Sequence, residues 1–279
     1  SISNPISKED LIDYLGSYIL PIDYPNFNVV LVFSDNSLNR QVESYFSGGC
    51  EIFNYKGVET KTVIAASPVG VLKLLVNDTE FCGEILAFVD SRLEPKSGSW
   101  LQELAGIVNG FDNVAVAGGR IFDSEERLLW AGGFFGVDGF LSCPDIGTRI
   151  DNSGYHGTLY CQRCVDGVSL LLWTAKRNFL VNLFTELSRD FSSGALATYL
   201  ACFARTRKEL VAYTPFATFT TKEKRLMVCP EIITEDMLNQ NNFDVPKFSR
   251  YYHQLFDQSS SSSYQLGNPL KKITVLTDG

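Results

Sequence analysis

The sequence has 279 residues, of which 45% are hydrophobic and 20% charged, so it can bury a sizeable core. Its net charge is −8 with no basic stripe, which argues against a nucleic-acid-binding protein. No apolar run approaches the ~18 residues of a membrane span, and no signal-peptide pattern is present. We therefore expect a cytoplasmic protein, with peripheral contact to the inner face of the membrane as a further option. The chain starts at Ser1 rather than Met, which suggests a domain excised from a longer protein.

Strand and helix patterns alternate through the first half of the chain. Continuous apolar runs rich in β-branched residues are typical of strands buried on both faces. The predicted elements are a helix at 8–19, a strand at 27–33, short strands at 50–55 and 62–66, a helix at 67–76, a strand at 84–90, a helix at 98–109 and a strand at 113–119. This order predicts an α/β protein with a mainly parallel sheet flanked by helices.

The second half begins with a different pattern. Residues 118–133, GGRIFDSEERLLWAGG, predict a β-hairpin insertion with its turn at 123–126. The elements predicted after it are a strand at 167–174, helices at 175–191 and 195–208, a strand at 209–215, and short helices at 234–240 and 246–257. Five serines at 259–263 indicate a flexible segment. We divide the chain into an N-terminal helical lead-in (1–26), an α/β domain (27–220) and a C-terminal helical extension with a Ser-rich tail (221–279).

Four segments, in this order, carry a family resemblance: GEILAFVDSRLEPKSGSWLQEL, VAVAGGRIFDSEERLLWAGG, VDGVSLLLWTAKRNF and LVAYTPFATFT. Together they resemble the GT-A glycosyltransferases of family two, especially the bacterial enzymes that build cell-surface polysaccharides. The match is strongest over 84–179 and 209–217, and looser over 27–83. The resemblance implies a GT-A fold, a nucleotide-sugar donor, a glycan acceptor and a role in polysaccharide biosynthesis. The other domains of a larger biosynthetic protein are further candidate partners.

The family's metal-binding Asp-x-Asp is altered in this chain. Asp90 aligns with one acid of the motif, but Arg92 occupies the metal-ligand position. Hard cations need oxygen ligands, so a guanidinium cannot replace the missing carboxylate. Arg92 either contacts a phosphate directly or forms an ion pair with Asp90 or Glu94. We therefore predict no metal site, and a divalent ion such as Mn²⁺ or Mg²⁺ as cofactor only if the chain is active.

The family resemblance also suggests a residue that binds the base of the nucleotide-sugar donor. Family members hold it with an Asp after an early strand, and Asp35 occupies that place. The alternative is that Asp35 caps a helix that begins near Leu38. The candidate nucleotide-sugar-binding residues are therefore Asp35, Asp90 and Arg92.

The expected general base is also missing. An inverting transferase needs a carboxylate to deprotonate the acceptor hydroxyl. Counting back from Tyr213, the resemblance places this acid at Leu196 and Ala197, and neither side chain accepts a proton. A His expected after the late strand falls near Thr220, and the nearest upstream acid is Asp190. Three functional positions have thus lost their chemistry, so the catalytic residues stay unassigned.

Three functions compete. The first is a catalytically degenerate glycosyltransferase domain, a pseudoenzyme that acts as a scaffold or binds a glycan or partner. The second is an active, metal-independent transferase that uses Arg92 in place of the cation, with one of four acids as base: Asp138, Asp145, Asp151 or Asp190. The third is a nucleotide-binding α/β protein that is not a transferase, which the hairpin disfavours. Whether the chain is an enzyme is left open by its sequence.

The remaining motifs have less specific interpretations. Cys143, Cys161, Cys164 and His156 are a candidate zinc set, although reduced structural thiols are the simpler reading. The three Trp residues fit core positions, whereas the aromatic segment FFGVDGF (134–140) fits an exposed platform for a sugar. KFSRYYHQLF (247–256) has the pattern of an amphipathic helix.

Overall fold

The chain folds as a mixed α/β protein with a central sheet flanked by helices, which confirms the predicted class. A computed structural model describes residues 8–19, 21–22, 24–25, 27–33, 40, 60–64, 68–78, 83–136, 141–187, 193–223, 246 and 249–252. Within these residues, no helix combines the length and the apolar content needed to cross a bilayer.

The elements follow the chain in this order. The strands are β1 (Val29–Phe33), β2 (Thr60–Ile64), β3 (Ile85–Val89), β4 (Leu93–Pro95), β5 (Val114–Phe122), β6 (Leu128–Trp130), β7 (Arg163–Val165), β8 (Leu172–Lys176) and β9 (Leu210–Thr221). The helices are α1 (Lys8–Ile19), α2 (Pro68–Asn77), α3 (Trp100–Gly110), α4 (Arg177–Glu186) and α5 (Ser193–Thr206), with a 3₁₀ helix at Tyr155–Tyr160.

The larger sheet is more mixed in direction than the sequence predicts. Its order is β3-β8-β5-β9-β4, with β6 added on β5 and β7 on β9, and β1 pairs with β2 in a separate parallel pair. β3, β5 and β9 run in one direction, and β8 lies antiparallel between β3 and β5. A buried apolar run has the same pattern in either direction, so the insertion of β8 is invisible in the sequence.

The predicted hairpin is confirmed. β5 and β6 pair antiparallel through Ile121 with Trp130 and Phe122 with Leu128. The Asp123 carboxylate closes the turn by accepting from the backbone N–H groups of Glu125 and Arg127, both at 2.8 Å. An Asp at this place stabilises the turn because its oxygen satisfies donors that the ladder leaves unpaired.

The core lies between the sheet and its helices. Trp100, Trp130 and Trp173 are all buried, as predicted. Trp173 stacks on Phe88 across the β3–β8 pair, with ring centroids 4.5 Å apart, and Trp100 meets Phe219 edge to face at 5.4 Å. These contacts fix β3, β8 and β9 in the layer whose edge carries Asp90.

Two consecutive basic residues join β8 to the ends of two helices. Lys176 donates from Nζ to the carbonyls of Phe111 and Asp112, just beyond α3. Arg177 donates to the carbonyls of Val76 and Asp78 at the end of α2. The last carbonyls of a helix lack partners within it and carry partial negative charge, so cations placed there stabilise both helix ends.

Several predicted elements differ from the structure. The strand predicted at 167–174 begins later, at Leu172, and the short strands β4 and β7 were not predicted. Residues 249–252 form a bend, so the helix predicted at 246–257 is wrong over these residues. The strand predicted at 50–55, the helix at 234–240 and the serine segment lie outside the described residues.

Candidate functional site

The end of β3 is the centre of the candidate site. Asp90 directly follows this strand, and its backbone N–H donates to the carbonyl of Leu171 at 2.8 Å. The Arg92 backbone N–H donates to Asp90 Oδ1 at 3.0 Å, which folds residues 90–92 into a tight turn. The turn directs the Arg92 side chain back onto the carboxylate that precedes it.

Arg92 engages both carboxylate oxygens of Asp90. Its Nε donates to Oδ1 at 2.8 Å, and its Nη2 donates to Oδ2 at 2.9 Å. This bidentate arrangement is the strongest form of an ion pair between side chains, since two parallel charge-assisted hydrogen bonds share one geometry. Of the two readings of Arg92, the structure shows the ion pair with Asp90.

The pair sets the protonation of both groups. Burial by itself raises the pKa of Asp90, but the hydrogen bonds and positive charge of Arg92 outweigh it and hold that pKa below its ordinary value of 3.8. The hydrogen bond to Asp90 raises the pKa of Arg92 above its ordinary value. Both groups are therefore charged at neutral pH and neutralise each other.

A second acid ties this pair to the end of β9. Arg92 Nη1 lies 3.5 Å from Oε2 of Glu223, a half-exposed residue two positions after β9. The two segments meet here because β4, which follows Arg92, pairs antiparallel with the end of β9, with Leu93 opposite Thr221. Arg92 thus joins the carboxyl ends of two strands, and Glu223 was not anticipated from the sequence.

The residues present do not fit a metal. Both oxygens of Asp90 accept from Arg92, and the cation itself repels a second one. Within the described ranges, no three His, Cys, Asp or Glu side chains come together in a way that would hold a metal ion. This contradicts the zinc set of Cys143, Cys161, Cys164 and His156, all four of which are described.

Four free thiols lie in the described residues. Cys143 and Cys202 are buried, and burial raises the pKa of each to about 12. Cys161 is exposed, and Cys164 lies partly buried on β7, where burial raises its pKa. None of these four residues forms a disulfide. Since the thiolate is the nucleophilic form, burial lowers the reactivity of Cys143 and Cys202.

The position expected for the general base is apolar and enclosed. Leu196 and Ala197 lie in the first turns of α5 and are 1% and 4% exposed. A carboxylate there would enter the core, not the site. Thr220 stands in β9 opposite Glu94, in the β4–β9 pair.

The alternative acids are placed as follows. Asp145 is buried in the loop after the hairpin, and Asp151 is exposed beside Arg149, with 3.7 Å between Asp151 Oδ1 and Arg149 Nε. Asp138 and Asp190 lie outside the described residues, as does the base-binding candidate Asp35.

The two aromatic residues that begin the segment after the hairpin are not the exposed platform that the sequence suggests. Phe134 and Phe135 are 2% and 0% exposed, and Phe134 packs against Tyr252 at 5.6 Å between ring centroids. The Phe135 N–H donates to Oδ2 of Asp166 at 3.1 Å. Phe134 and Phe135 therefore belong to the core, with Tyr252 packed against Phe134, and residues 137–140 of the segment lie outside the described residues.

The sequence interpretation also missed a second cluster, on β5, β9 and the 3₁₀ helix. Arg120 on β5 donates from Nε to Thr218 Oγ1 at 2.8 Å, and the Tyr213 hydroxyl donates to the carbonyl of Leu159 at 2.9 Å. Tyr160 and Phe216 remain exposed next to them. The signal available in the sequence was weak: an Arg after two glycines and aromatic residues in predicted loops.

Comparisons with known proteins give distant structural likeness only. No protein-family model matches the sequence, and no curated protein matches it. The chain is similar to the crystal structure of GalNAc-T7 with UDP, GalNAc and Mn²⁺, over 72% of this chain and 39% of that one, with 11% identity and a TM-score of 0.47. It is also similar to a mycobacterial protein (79% and 66% covered, 15% identity, TM-score 0.45) and to A197 from STIV (70% and 81%, 14%, 0.33).

These structural likenesses assign no role to individual residues of this chain. All three TM-scores are below 0.5, so no site is carried from these structures to this chain. The chain spans about two fifths of the GalNAc-T7 chain. The family-two relationship therefore stays a proposal.

Proposed function

We propose that this chain is a GT-A glycosyltransferase-like domain, related to family-two enzymes of bacterial polysaccharide synthesis, that no longer transfers sugar. It serves as a scaffold or as a module that binds a glycan or a partner protein. The observation that carries this proposal is the pairing of both Asp90 oxygens with Arg92. A transferase of this type needs a cation there to offset the charge of the leaving diphosphate.

The apolar base position supports the same proposal. Leu196 and Ala197 are packed in the core, so no proton acceptor stands where the resemblance places one. When catalysis is no longer selected, replacing buried site acids with apolar residues relieves the cost of burying charge. Two separate changes, one at Arg92 and one at Leu196 and Ala197, are more easily explained by loss of transfer than by a changed mechanism.

A second candidate is an active transferase that works without metal. The side chain of Arg92 is 36% exposed, so a diphosphate has access to it. In this case the guanidinium would leave Asp90 and take the place of the cation, donating two hydrogen bonds to phosphate oxygens. The candidate needs a base, which would come from Asp138, Asp145, Asp151 or Asp190.

Thermal unfolding with nucleotides distinguishes these functions. The chain would be heated with UDP, GDP or TDP, or with their sugars, with and without Mn²⁺. A ligand that binds the native state raises Tm. Loss of transfer predicts that the chain binds none of these compounds, so none of them should raise Tm. A rise without metal that Arg92→Gln removes supports the second candidate.

Arg127→Gln is the matched control, because Arg127 forms an exposed pair with Glu125 that does not involve Asp90. A rise that requires Mn²⁺ contradicts the proposal. Release of nucleoside diphosphate from any nucleotide sugar by the purified chain contradicts it as well.

A further inference from the structure

A bulge in β9 presents an exposed aromatic side chain. The β5–β9 pairing runs through Gly118 with Tyr213 and resumes at Arg120 with Thr218, so residues 214–217, called here the arch, face Gly119 alone. Phe216 in the arch is 54% exposed. Bulges of this kind redirect a side chain out of a sheet and are frequent next to binding sites.

The arch is held in one shape by its own hydrogen bonds. Thr218 Oγ1 donates to the carbonyl of Pro215 at 2.7 Å, and the Phe216 N–H donates to Thr214 Oγ1 at 3.3 Å. The backbone of the arch also lies directly against Gly119, where an added Cβ would come within 2.2 Å of the Ala217 carbonyl oxygen. Phe216 is therefore exposed on a rigid support, which lowers the entropy cost of binding.

A second exposed ring is fixed beside the arch. The carbonyl of Leu159 accepts from the Tyr213 hydroxyl, and Gln162 Nε2 donates to Thr214 Oγ1 at 3.4 Å. Leu159 and Gln162 are therefore both fixed to β9. Tyr160 lies between them in the chain and is 45% exposed. Its hydroxyl donates to the carbonyl of Ile150 at 3.1 Å, so the ring cannot turn freely.

Arg120 lies between the ring of Tyr160 and the arch. Its guanidinium carbon is 5.6 Å from the centroid of Tyr160 and 5.4 Å from that of Phe122, and its Nε donates to Thr218. Across the described part of the chain, no carboxylate lies within ion-pair distance of Arg120. The guanidinium therefore contacts two aromatic rings, the Thr218 hydroxyl and, at a longer distance, the Leu159 carbonyl. These contacts leave guanidinium N–H groups that can donate to an anionic ligand.

We infer that Arg120, Tyr160 and Phe216, called here the aromatic–arginine patch, bind an acidic glycan. One face of a sugar ring carries C–H groups that pack on an aromatic ring, and Tyr160 and Phe216 each offer an exposed ring for such a contact. Since Arg120 has no ion-pair partner among the described residues, its charge selects a sugar that bears a carboxylate, as in a uronic acid. This inference rests on the proposed glycan-binding function and names its ligand class and its site.

Isothermal titration calorimetry with the whole chain tests the inference. An oligogalacturonate is expected to bind, and a maltooligosaccharide of the same length is expected to bind about tenfold more weakly or not at all. Phe216→Ala and Tyr160→Ala should each weaken binding by about tenfold, because each removes one stacking contact. Arg120→Gln should remove the preference for the acidic sugar.

Phe111→Ala is the matched control. Phe111 is 57% exposed but lies at the end of α3, before β5 begins, whereas Arg120 lies near the other end of β5, so removal of the Phe111 ring should leave affinity unchanged. Thermal unfolding of each variant checks folding, and Phe216→Ala keeps the test valid if Tyr160→Ala is destabilised. Absence of oligogalacturonate binding, equal binding of the neutral sugar, or equal affinity of the Phe216 and Phe111 variants overturns the inference.

Binding of a single-stranded oligonucleotide in place of the acidic sugar also overturns it. The measurement uses neither a nucleotide sugar nor Mn²⁺, so its failure leaves the loss of sugar transfer untouched. Conversely, detection of sugar transfer would contradict the proposed loss of transfer. If the patch variants still lose oligogalacturonate binding in that case, the glycan site remains supported.

Discussion

Arg92 holds Asp90 by two parallel hydrogen bonds, at 2.8 and 2.9 Å, on a turn that the same carboxylate closes through the Arg92 backbone N–H. A position that the family resemblance assigns to a metal ligand is thus occupied by a cation from the protein itself. The local chain geometry builds this pair, since the two residues are separated by Ser91 alone. Its consequences reach stability, metal binding and nucleotide binding.

The first prediction concerns acid stability. The pKa of Asp90 lies below 3.8 in the folded chain, so its ionised form is favoured by folding. The resulting stability is present above the unfolded-state pKa and is lost as pH falls through the lower folded-state pKa. Arg92→Gln should therefore reduce the free energy of unfolding by about 1 kcal/mol at pH 7.

Urea unfolding between neutral pH and about pH 2 measures this effect. The gap between wild type and Arg92→Gln should shrink on acidification below 3.8, because Asp90 becomes protonated in both proteins. A gap that stays constant with pH would show that the pair contributes through packing and not through charge.

The second prediction restores an acid at the altered position. Arg92→Asp removes the competing cation and places a carboxylate near Asp90, so the variant should gain affinity for Mn²⁺. Arg92→Gln removes the cation but adds no carboxylate and should gain less. Mn²⁺ titration followed by electron paramagnetic resonance compares the three proteins, and equal binding by the Asp and Gln variants would count against this reading of the position.

The third prediction concerns the close approach of β5 and β9. Gly119→Ala would place a methyl group 2.2 Å from the Ala217 carbonyl oxygen, so the strands must separate, at a cost of about 2 kcal/mol or more. Gly106→Ala is the matched control, because it lies in α3 with nothing within 4 Å of the new methyl group, and it should stabilise the chain by about 0.5–1 kcal/mol. Thermal unfolding that shows equal effects for the two would refute the close approach.

The fourth prediction concerns the bridge from β8 to α2. Arg177→Gln removes a cation from the carbonyls of Val76 and Asp78 and should lower the free energy of unfolding by about 1–2 kcal/mol. Arg149→Gln alters only an exposed pair with Asp151 and should change it by less than about 0.5 kcal/mol. Chemical denaturation measures both values, and a neutral Arg177→Gln would mean that the helix end is stable without its cap.

Much of the fold was predictable because hydrophobic patterns locate helices and strands well. The run at 84–90 became β3, although no residue of β3 is fully buried as the pattern predicts, and the amphipathic segment at 98–109 became α3 with its apolar face in the core. The Asp123 turn was readable because Asp has a local hydrogen-bonding role. The direction of β8 was not readable, since partner choice within a sheet depends on tertiary packing that no local pattern encodes.

The candidate site was predictable only in part, for a related reason. The sequence located Asp90 and Arg92 and gave their ion pair as one of two readings, which the short separation allows. The contact of Arg92 with Glu223 joins residues far apart in the chain, and only the β4–β9 pairing brings them together. The segment at 134–135 was misjudged because aromatic residues near glycines look loop-like, whereas both are buried here and Tyr252 packs against Phe134.

The most direct test of the proposed loss of a metal site is the binding of Mn²⁺ to the wild-type chain in the presence of UDP, compared with Asp90→Asn. Electron paramagnetic resonance counts the free and bound ions in both proteins. The ion pair predicts no bound Mn²⁺ that depends on Asp90, so the two titrations should coincide. One Mn²⁺ per chain that binds the wild type and is lost in Asp90→Asn would contradict it.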